Sequence, residues 1–370
     1  MPKKIKYPYE YSPKTRKIAR GYTRIRVVNG LLNGIAIPII FVYALLVSGL
    51  SVSVKDFSSF FPVYAFIFLS LLALVQFPLR FYSGYILEHK HGLSNQNLRS
   101  WFKDYFKGLF LMYLFSVPVI TGLYYLLPLQ LWWLYAGIAY FFLVVFMNHI
   151  FPVLIFPFFY KIGPYRDIYM KRKLIKMAAH FGKRIENVFV AKESEKSKKA
   201  NAMFAGIGST KRIVLFDTLL NSFTKDEIET VISHELGHYV NRDTIRYIII
   251  DAIRIFPVLL VIDYVLKGNV GNFGIIAIND IASLPLFLLA YYIIELAFMP
   301  MLNTYSRHRE READLFGLEA CKKPQAQIST EKRLADIDLV DDNPHPLVEF
   351  LLFTHPSPSK RIKMVREWRK

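Results

Sequence analysis

Apolar residues of this chain are gathered into long runs that charged segments separate. Each of six runs approaches or exceeds the roughly 20 residues that a helix needs to cross a hydrocarbon core of about 30 Å. The runs cover approximately residues 30–50, 60–79, 106–127, 131–156, 247–266 and 283–302. This pattern predicts a mainly α-helical, polytopic membrane protein with about six transmembrane helices.

The segments between and after these runs have the patterns of soluble secondary structure. R-I-V-L-F at 212–216 predicts a short strand, and 201–205 predicts an edge strand before it. Thr224 and Glu227 form a capping box, which predicts a helix that continues to about Asn241. The chain thus divides into a tail with four transmembrane helices, a soluble segment, two further transmembrane helices and a C-terminal soluble segment, at 1–157, 158–246, 247–302 and 303–370.

The composition agrees with this architecture, because 53% of the 370 residues are hydrophobic, against about 45–50% in soluble domains. The net charge of +18 would suit nucleic acid or the inner loops of a membrane protein, so the position of the basic residues decides. They crowd into the tail, the loop after the second run and the two soluble segments, whereas the other side has only Lys55 and Lys267. Both termini and all large loops are therefore predicted to be cytoplasmic. No nucleic-acid partner is expected, since no recognised binding module is present.

A metal site in this chain would have to use histidines and carboxylates, because Cys321 is its single cysteine. His234-Glu-Leu-Gly-His238 is an H-E-x-x-H motif on the helix that the capping box opens. Residues four apart share a helix face, so both imidazoles can reach one metal ion, and Glu235 can take a proton from a bound water. The motif predicts one catalytic Zn²⁺ per chain, held by three protein ligands with one open position.

The third ligand has several candidates downstream of the motif, which are Glu310, Glu312, Asp314, His308 and His355. Glu310 and Asp314 share one face of a helix after the sixth run, so one could bind zinc while the other orients a ligand histidine. The arginines around them suit an ordinary salt-bridged surface helix as well. Two runs separate His238 from Glu310, and this even number returns the chain to the same side of the membrane.

H-E-L-G-H followed downstream by S-R-x-x-E-x-x-A-D resembles the integral-membrane zinc metalloendopeptidases of the CAAX prenyl protease 1 type, which are relatives of the stress-related membrane peptidase HtpX. Three further segments resemble motifs of this family: E-H-K-H-G-L-S at 88–94, K-R-I-V-L-F-D-T-L at 211–219 and T-H-P-S-P-S-K-R-I at 354–362. H-E-x-x-H alone is common to many peptidases, but the ordered set of motifs is specific.

The resemblance implies a gluzincin-type zinc peptidase domain with a small β-sheet, and it implies a role for each matched residue. The zinc ligands would be His234, His238 and Glu310. Glu235 would be the catalytic base, and Asp314 would orient a ligand histidine.

The remaining matches concern the substrate. Asn201 and Ala202 match the strand edge that pairs with an extended substrate. His355 and Arg361 match residues of a C-terminal motif near the active site. There they would help to stabilise the negative charge that develops on the carbonyl oxygen during hydrolysis. A structural histidine before a turn-forming proline is an equal alternative for His355.

The leading hypothesis is a membrane-embedded zinc endopeptidase of the CAAX prenyl protease 1 type that cuts near the cytoplasmic membrane face. Its partners would be membrane lipids and a peptide or protein substrate, including a lipid-modified or membrane-embedded one. The compact chain looks prokaryotic, which would place it in the cell (inner) membrane. The alternatives are an HtpX-like protease of damaged membrane proteins and, from another class, a channel or membrane scaffold with a structural H-E-x-x-H.

Overall fold

The computed structural model describes residues 5–206 and 211–368 and begins with long helices. In chain order they are α1 Pro13–Val47, α2 Leu50–Phe57, α3 Phe61–Lys90, α4 Leu98–Leu126 and α5 Trp132–Phe159. Ser12 caps the start of α1 by accepting a hydrogen bond from the Thr15 amide, and Pro13 takes the first helical position, where no amide hydrogen is needed. The helices α1, α3 and α5 each include one π-helical turn.

A small four-stranded sheet follows these helices. The elements in chain order are β1 Ile162–Pro164, α6 Ile168–His180, β2 Asn187–Ala191, β3 Ala202–Ala205, β4 Arg212–Phe216, α7 Asp217–Ser222 and α8 Lys225–Val240. The strand order is β1-β2-β4-β3, with β2 parallel to β4 and the other two pairs antiparallel. The strand β3 lies at the end of this sheet, which confirms the edge strand predicted before β4.

The rest of the chain is helical and contains one very long element. It forms α9 Asp243–Gly268, α10 Leu284–Cys321, α11 Pro324–Ile337, α12 Pro346–Leu352 and α13 Pro358–Glu367. At 1.5 Å per residue, the 38 residues of α10 extend about 57 Å, nearly twice the thickness of a hydrocarbon core. Because of this length, α10 can begin among the membrane helices and still carry its last turns into the soluble part.

Five helices of the described residues are long and apolar enough to cross a membrane: α1, α3, α4, α5 and α10. The predicted fifth run is also a helix, α9, of 26 residues, but it is not among these five. Its charged residues explain the difference, and they have partners within α9 and on the neighbouring helices α5 and α10. Asp263 accepts a hydrogen bond from the Trp132 indole at 2.6 Å, and Arg254 pairs with Asp251 at 3.1 Å and with Glu295. The helix exposes apolar residues such as Ile253 on its other face.

The soluble core positions the motif helix α8. Its apolar face, with Ile228, Ile232 and Leu236, packs against Ile213 and Leu215 of the sheet in one buried cluster. Residues at this spacing lie on one side of a helix, so the residues between them face away from the sheet. The face that carries the two histidines is thereby turned toward the end of α10.

The N-terminal tail is attached to the soluble part by hydrogen bonds to α11. The Tyr9 amide donates to Ser329 Oγ at 2.7 Å, and the Tyr9 hydroxyl donates to Asp336 Oδ2 at 2.8 Å. Arg16 at the start of α1 donates from Nε to the same Asp336 at 2.6 Å, and both side chains are buried. The beginning of the chain is therefore fastened to α11, which follows the last long helix.

Candidate active site

The start of the motif helix is fixed by its own capping box and by α11. At its start, the Thr224 hydroxyl accepts from the Glu227 amide, and the Glu227 carboxylate accepts from the Thr224 amide at 2.8 Å, which confirms the capping box. Glu227 is fully buried and also accepts from Ser329 and Arg333 of α11. The helix thus begins at a defined residue and in a defined position relative to α11.

Glycines allow α8 and α10 to touch at backbone distance. A Cβ on Gly237 would lie 2.9 Å from the Ala313 Cα, and a Cβ on Gly317 would lie 3.2 Å from the His234 amide nitrogen. Real Cβ atoms rarely tolerate such distances, so a larger residue at either position would push the helices apart. This close approach brings Glu310 and Asp314 of α10 to the histidine face of α8.

The nitrogen and oxygen atoms of three side chains converge on one point. The two Nε2 atoms of His234 and His238 are 3.2 Å apart, and each is 3.3 Å from an oxygen of Glu310. These ligand atoms all lie within 4.8 Å of one another, which suits a metal ion. Glu310 Oε2 is buried without a hydrogen-bond partner among the described residues, and a cation would satisfy it. The residues present therefore fit a metal.

Carboxylates behind the histidines set the direction of both rings. His234 Nδ1 lies 2.8 Å from Asp314, and His238 Nδ1 lies 2.7 Å from Asp243. A carboxylate only accepts, so each Nδ1 carries a hydrogen, and each Nε2 is the ring atom through which a metal can bind. Sequence reasoning identified Asp314 but missed Asp243. The available signal was an aspartate five residues beyond the second histidine, at the start of the next helix.

Glu235 lies beside the ligand atoms, at a cavity of about 140 Å³ that His234, Asn201 and His355 also line. Burial raises the pKa of the Glu235 carboxyl, while the neighbouring histidines lower it. Burial is the larger effect, so the carboxyl binds a proton more readily than an exposed glutamate does. That is the property required of a group that takes a proton and later returns it.

The two residues of the C-terminal motif have different surroundings. Arg361 donates from Nε to Asp314 at 2.7 Å, and its Nη1 pairs with the buried Glu331 at 2.9 Å. Its charge is thus shared by two carboxylates behind His234. His355 is largely exposed, with 61% of its side chain accessible, and its Nε2 lies 3.4 Å from Glu310. Glu331 was missed by sequence reasoning, because it lies in a charged stretch of α11 that reads as solvent-exposed surface.

The predicted substrate residues lie at the start of the edge strand. Asn201 is exposed and lines the same cavity as Glu235, while Ala202 is buried in β3, opposite Leu215. Among the alternatives for the third ligand, His308 pairs with Glu312 at 3.0 Å and contributes no atom to the converging set. The structure therefore brings the predicted residues of both soluble segments into one region.

The long apolar helices and the His-His-Glu cluster define a membrane-embedded metalloprotease, and comparisons with known proteins agree. Residues 164–369 match the model described as "Peptidase family M48", and residues 2–161 match "CAAX prenyl protease N-terminal, five membrane helices". The chain belongs to peptidase family M48. The resemblance noted in the sequence and the assignment as a metallopeptidase are thereby confirmed. In that N-terminal range this chain has four long apolar helices and the short α2.

Curated relatives carry matching names. The chain is 30% identical to the "Uncharacterized metalloprotease YhfN" of Bacillus subtilis, over 95% of this chain and 85% of the relative. It is 28% identical to "CAAX prenyl protease 1" of Saccharomyces cerevisiae, over 79% of this chain and 69% of the relative. The homologue of that protease in Arabidopsis thaliana is 29% identical, over 79% and 70%. These relatives do not favour the alternatives of a damage-related protease or a non-enzymatic scaffold.

A solved structure has the same fold. The crystal structure of Ste24p from S. mikatae superposes with a TM-score of 0.85, covering 100% of this chain and 92% of that chain at 22% identity. The likeness extends from the membrane helices to the last helix, which confirms the mainly helical membrane fold with a small sheet.

Proposed function

We propose that the metal is zinc, one ion per chain, and that His234, His238 and Glu310 are its ligands. Two imidazoles and one carboxylate form a ligand set typical of catalytic zinc, which keeps a further position open. When bound, zinc lowers the pKa of a coordinated water to about 7 and polarises a peptide carbonyl. The observation that supports this proposal most directly is the convergence of these ligand atoms within 4.8 Å, with Glu235 beside them.

In this proposal Glu235 accepts the proton of the attacking water and then delivers it to the amine of the leaving peptide. Its burial supports both steps, because burial raises the pKa of the carboxyl toward neutral pH, where the group can both accept and release a proton. Asp314 and Arg361 hold His234 in place, and the exposed His355 faces the cleft, where its ring could donate to the carbonyl oxygen.

We propose that the substrate is an extended peptide that adds to the free edge of β3. The main chain of Ala202 would pair with it, because an edge strand offers amides and carbonyls on its free side. Asn201, whose carbonyl accepts from the Phe216 amide at 3.0 Å, would contribute its side chain. The strand begins beside the cavity that contains Glu235, so a peptide paired there would present its backbone to the ligand cluster.

We further propose that the site faces the cytoplasm at the membrane surface, with both termini on that side. The soluble segments 158–246 and 303–370 would form one catalytic unit between the membrane parts 1–157 and 247–302. The basic tail supports this orientation, because segments rich in lysine and arginine remain on the cytoplasmic side of a membrane. The tail is bound to α11, so the catalytic segments lie on the same side. The names of several relatives, "CAAX prenyl protease 1", support a lipid-modified peptide as substrate.

The test compares the purified protein with Glu235→Gln. We expect about one zinc per chain in both, and hydrolysis of a quenched fluorescent peptide, with and without a prenyl group, only by the unmodified protein. Asp226→Asn, an exposed carboxylate on the same helix, is the matched control and should retain activity. Equal hydrolysis by the Glu235→Gln variant would refute the proposed base.

A further inference from the structure

Each ligand histidine stands at the head of a chain of alternating acidic and basic side chains. The first chain of side chains runs from His234 through Asp314 and Arg361. A second chain of the same composition lies behind the other histidine. In order, the two chains are His234, Asp314, Arg361, Glu331 and His238, Asp243, Arg309, Glu312.

The second chain is as well buried as the first at its centre. Asp243 Oδ2 lies 2.7 Å from His238 Nδ1, and Asp243 Oδ1 accepts from Arg309 Nε at 2.7 Å. Asp243 is 2% exposed and Arg309 is 3% exposed, so neither oxygen of the carboxylate is left to water. Arg309 contacts Glu312 as well, which fixes its guanidinium from the far side. Charge-assisted bonds of this kind are strong and directional when they are shielded from solvent.

The turn between α8 and α9 places Asp243 beneath the histidine. Only Asn241 and Arg242 separate the two helices, and Arg242 has a left-handed backbone conformation with φ of 57°. Residues other than glycine seldom adopt the left-handed conformation, so the surrounding contacts must maintain it at Arg242. Asp243 is the first residue of α9, and Arg309 precedes the ligand Glu310 on α10. This second chain of side chains therefore connects His238 to both α9 and α10.

We propose that Asp243, held by Arg309, is a positioning residue that fixes His238 with its hydrogen on Nδ1 and its Nε2 free for the metal. The proposal rests on the proposed function, in which His238 binds zinc. An asparagine in place of Asp243 would reverse the direction of the hydrogen bond to His238. Arg309 needs an acceptor, so the amide oxygen would face Arg309 and the NH₂ group would face Nδ1 of His238. The ring would then have to accept at Nδ1 and carry its hydrogen on Nε2, where it blocks the metal.

The experiment measures metal binding by Asp243→Asn in the purified full-length protein. The zinc dissociation constant is obtained by competition with a chromophoric chelator, and the visible spectrum is recorded after Co²⁺ substitution. We expect zinc to bind roughly 10–100-fold more weakly, as loss of such outer partners typically produces, with a changed cobalt spectrum. Arg311→Gln, an exposed arginine on the same helix as Arg309, should leave both measurements unchanged.

A second variant keeps the test valid if Asp243→Asn does not fold, since that substitution removes the negative charge beside the buried Arg309. The double variant with Asp243→Leu and Arg309→Met replaces the buried pair by apolar side chains and leaves His238 Nδ1 without an acceptor, so we expect it to fold and still bind zinc weakly. Unchanged zinc affinity and cobalt spectrum in either folded variant would overturn the positioning role. If the unmodified protein itself bound no zinc, the proposed function would fail first, so the two failures are distinguishable.

Discussion

At the scale of single residues, the site is governed by where protons reside. Burial alone would lower the pKa of His234, but the carboxylates of Asp314 and Glu310 outweigh it and raise the pKa to about 10. Without a metal, this histidine is therefore protonated at neutral pH. A metal needs the lone pair on Nε2, so its binding must displace a proton.

The first prediction concerns pH. Because the metal-free His234 holds a proton below its pKa of about 10, a lower pH strengthens the competing proton. We expect the zinc dissociation constant to rise by at least about tenfold for each unit that the pH falls between roughly 8 and 6. Chelator competition at several pH values measures this. A dissociation constant that is constant over this range would contradict the proton displacement.

Arg361 leads to a second prediction at this scale. Its guanidinium reaches Asp314 and Glu331 together, whereas the ammonium of a lysine is a single point charge that cannot copy this fork. Arg361→Lys should therefore lower the rate of peptide hydrolysis roughly tenfold or more, as disturbing such outer partners does. Arg366→Lys, on the exposed side of the same helix, should match the unmodified enzyme. Full activity of Arg361→Lys would assign Arg361 no positioning role.

At the scale of elements, the contact between α8 and α10 decides whether the ligand set forms. The motif contributes two of the proposed ligands from one helix, and the proposed third ligand comes from another helix that must approach within backbone distance. Gly237 and Gly317 lie at this contact, and each faces main-chain atoms of the opposite helix. Main-chain atoms cannot rotate away as a flexible side chain can, so the separation of the two helices is tightly limited.

The third prediction is that Gly237→Ala separates the helices. Its Cβ would lie 2.9 Å from the Ala313 Cα, and overpacking of this kind destabilises proteins by about 1–3 kcal/mol. We expect a lower unfolding temperature and weaker zinc binding, both measured on the purified protein. Gly21→Ala in α1 is the control, because a Cβ there meets nothing within 4 Å, and it should be neutral or stabilising. Equal behaviour of the two variants would show that the contact tolerates a methyl group.

At the scale of the whole molecule, the proposed orientation can be tested with thiols, because the chain has the single cysteine Cys321. In a Cys321→Ser background we expect a cysteine introduced by Asn272→Cys, in the exposed connection after α9, to react with a membrane-impermeant maleimide in intact cells. One introduced by Arg366→Cys, in α13, should react only after the membrane is permeabilised. The reverse result would place the termini and the catalytic segments outside.

The sequence predicted the helices and the ligand set because both depend on local patterns. Apolar runs define the long helices, the H-E-x-x-H spacing defines His234 and His238, and the resemblance of the downstream S-R-x-x-E-x-x-A-D segment singles out Glu310. Glu331 could not be found in this way, because its role depends on a contact with Arg361 on another helix. Asp243 lies only five residues beyond His238, but across a turn between two helices, so the helical spacing that defines the motif does not extend to it. The stretch Glu331–Arg333 reads as exposed surface, yet all three side chains are buried, since the tail and Arg361 supply their partners.

The attachment of the tail to α11 also has a consequence for the time course of synthesis. A ribosome completes α8 and its two histidines several seconds before it completes α13, at roughly 5–20 residues per second. The segment around Tyr9 is made earlier than α8, and its partners on α11 do not exist until about 320 residues later. A half-made chain thus lacks Glu310, then Arg361, and its tail has nothing to bind. Proteolytic capacity would therefore appear only after α13 has been made, well after the motif helix itself.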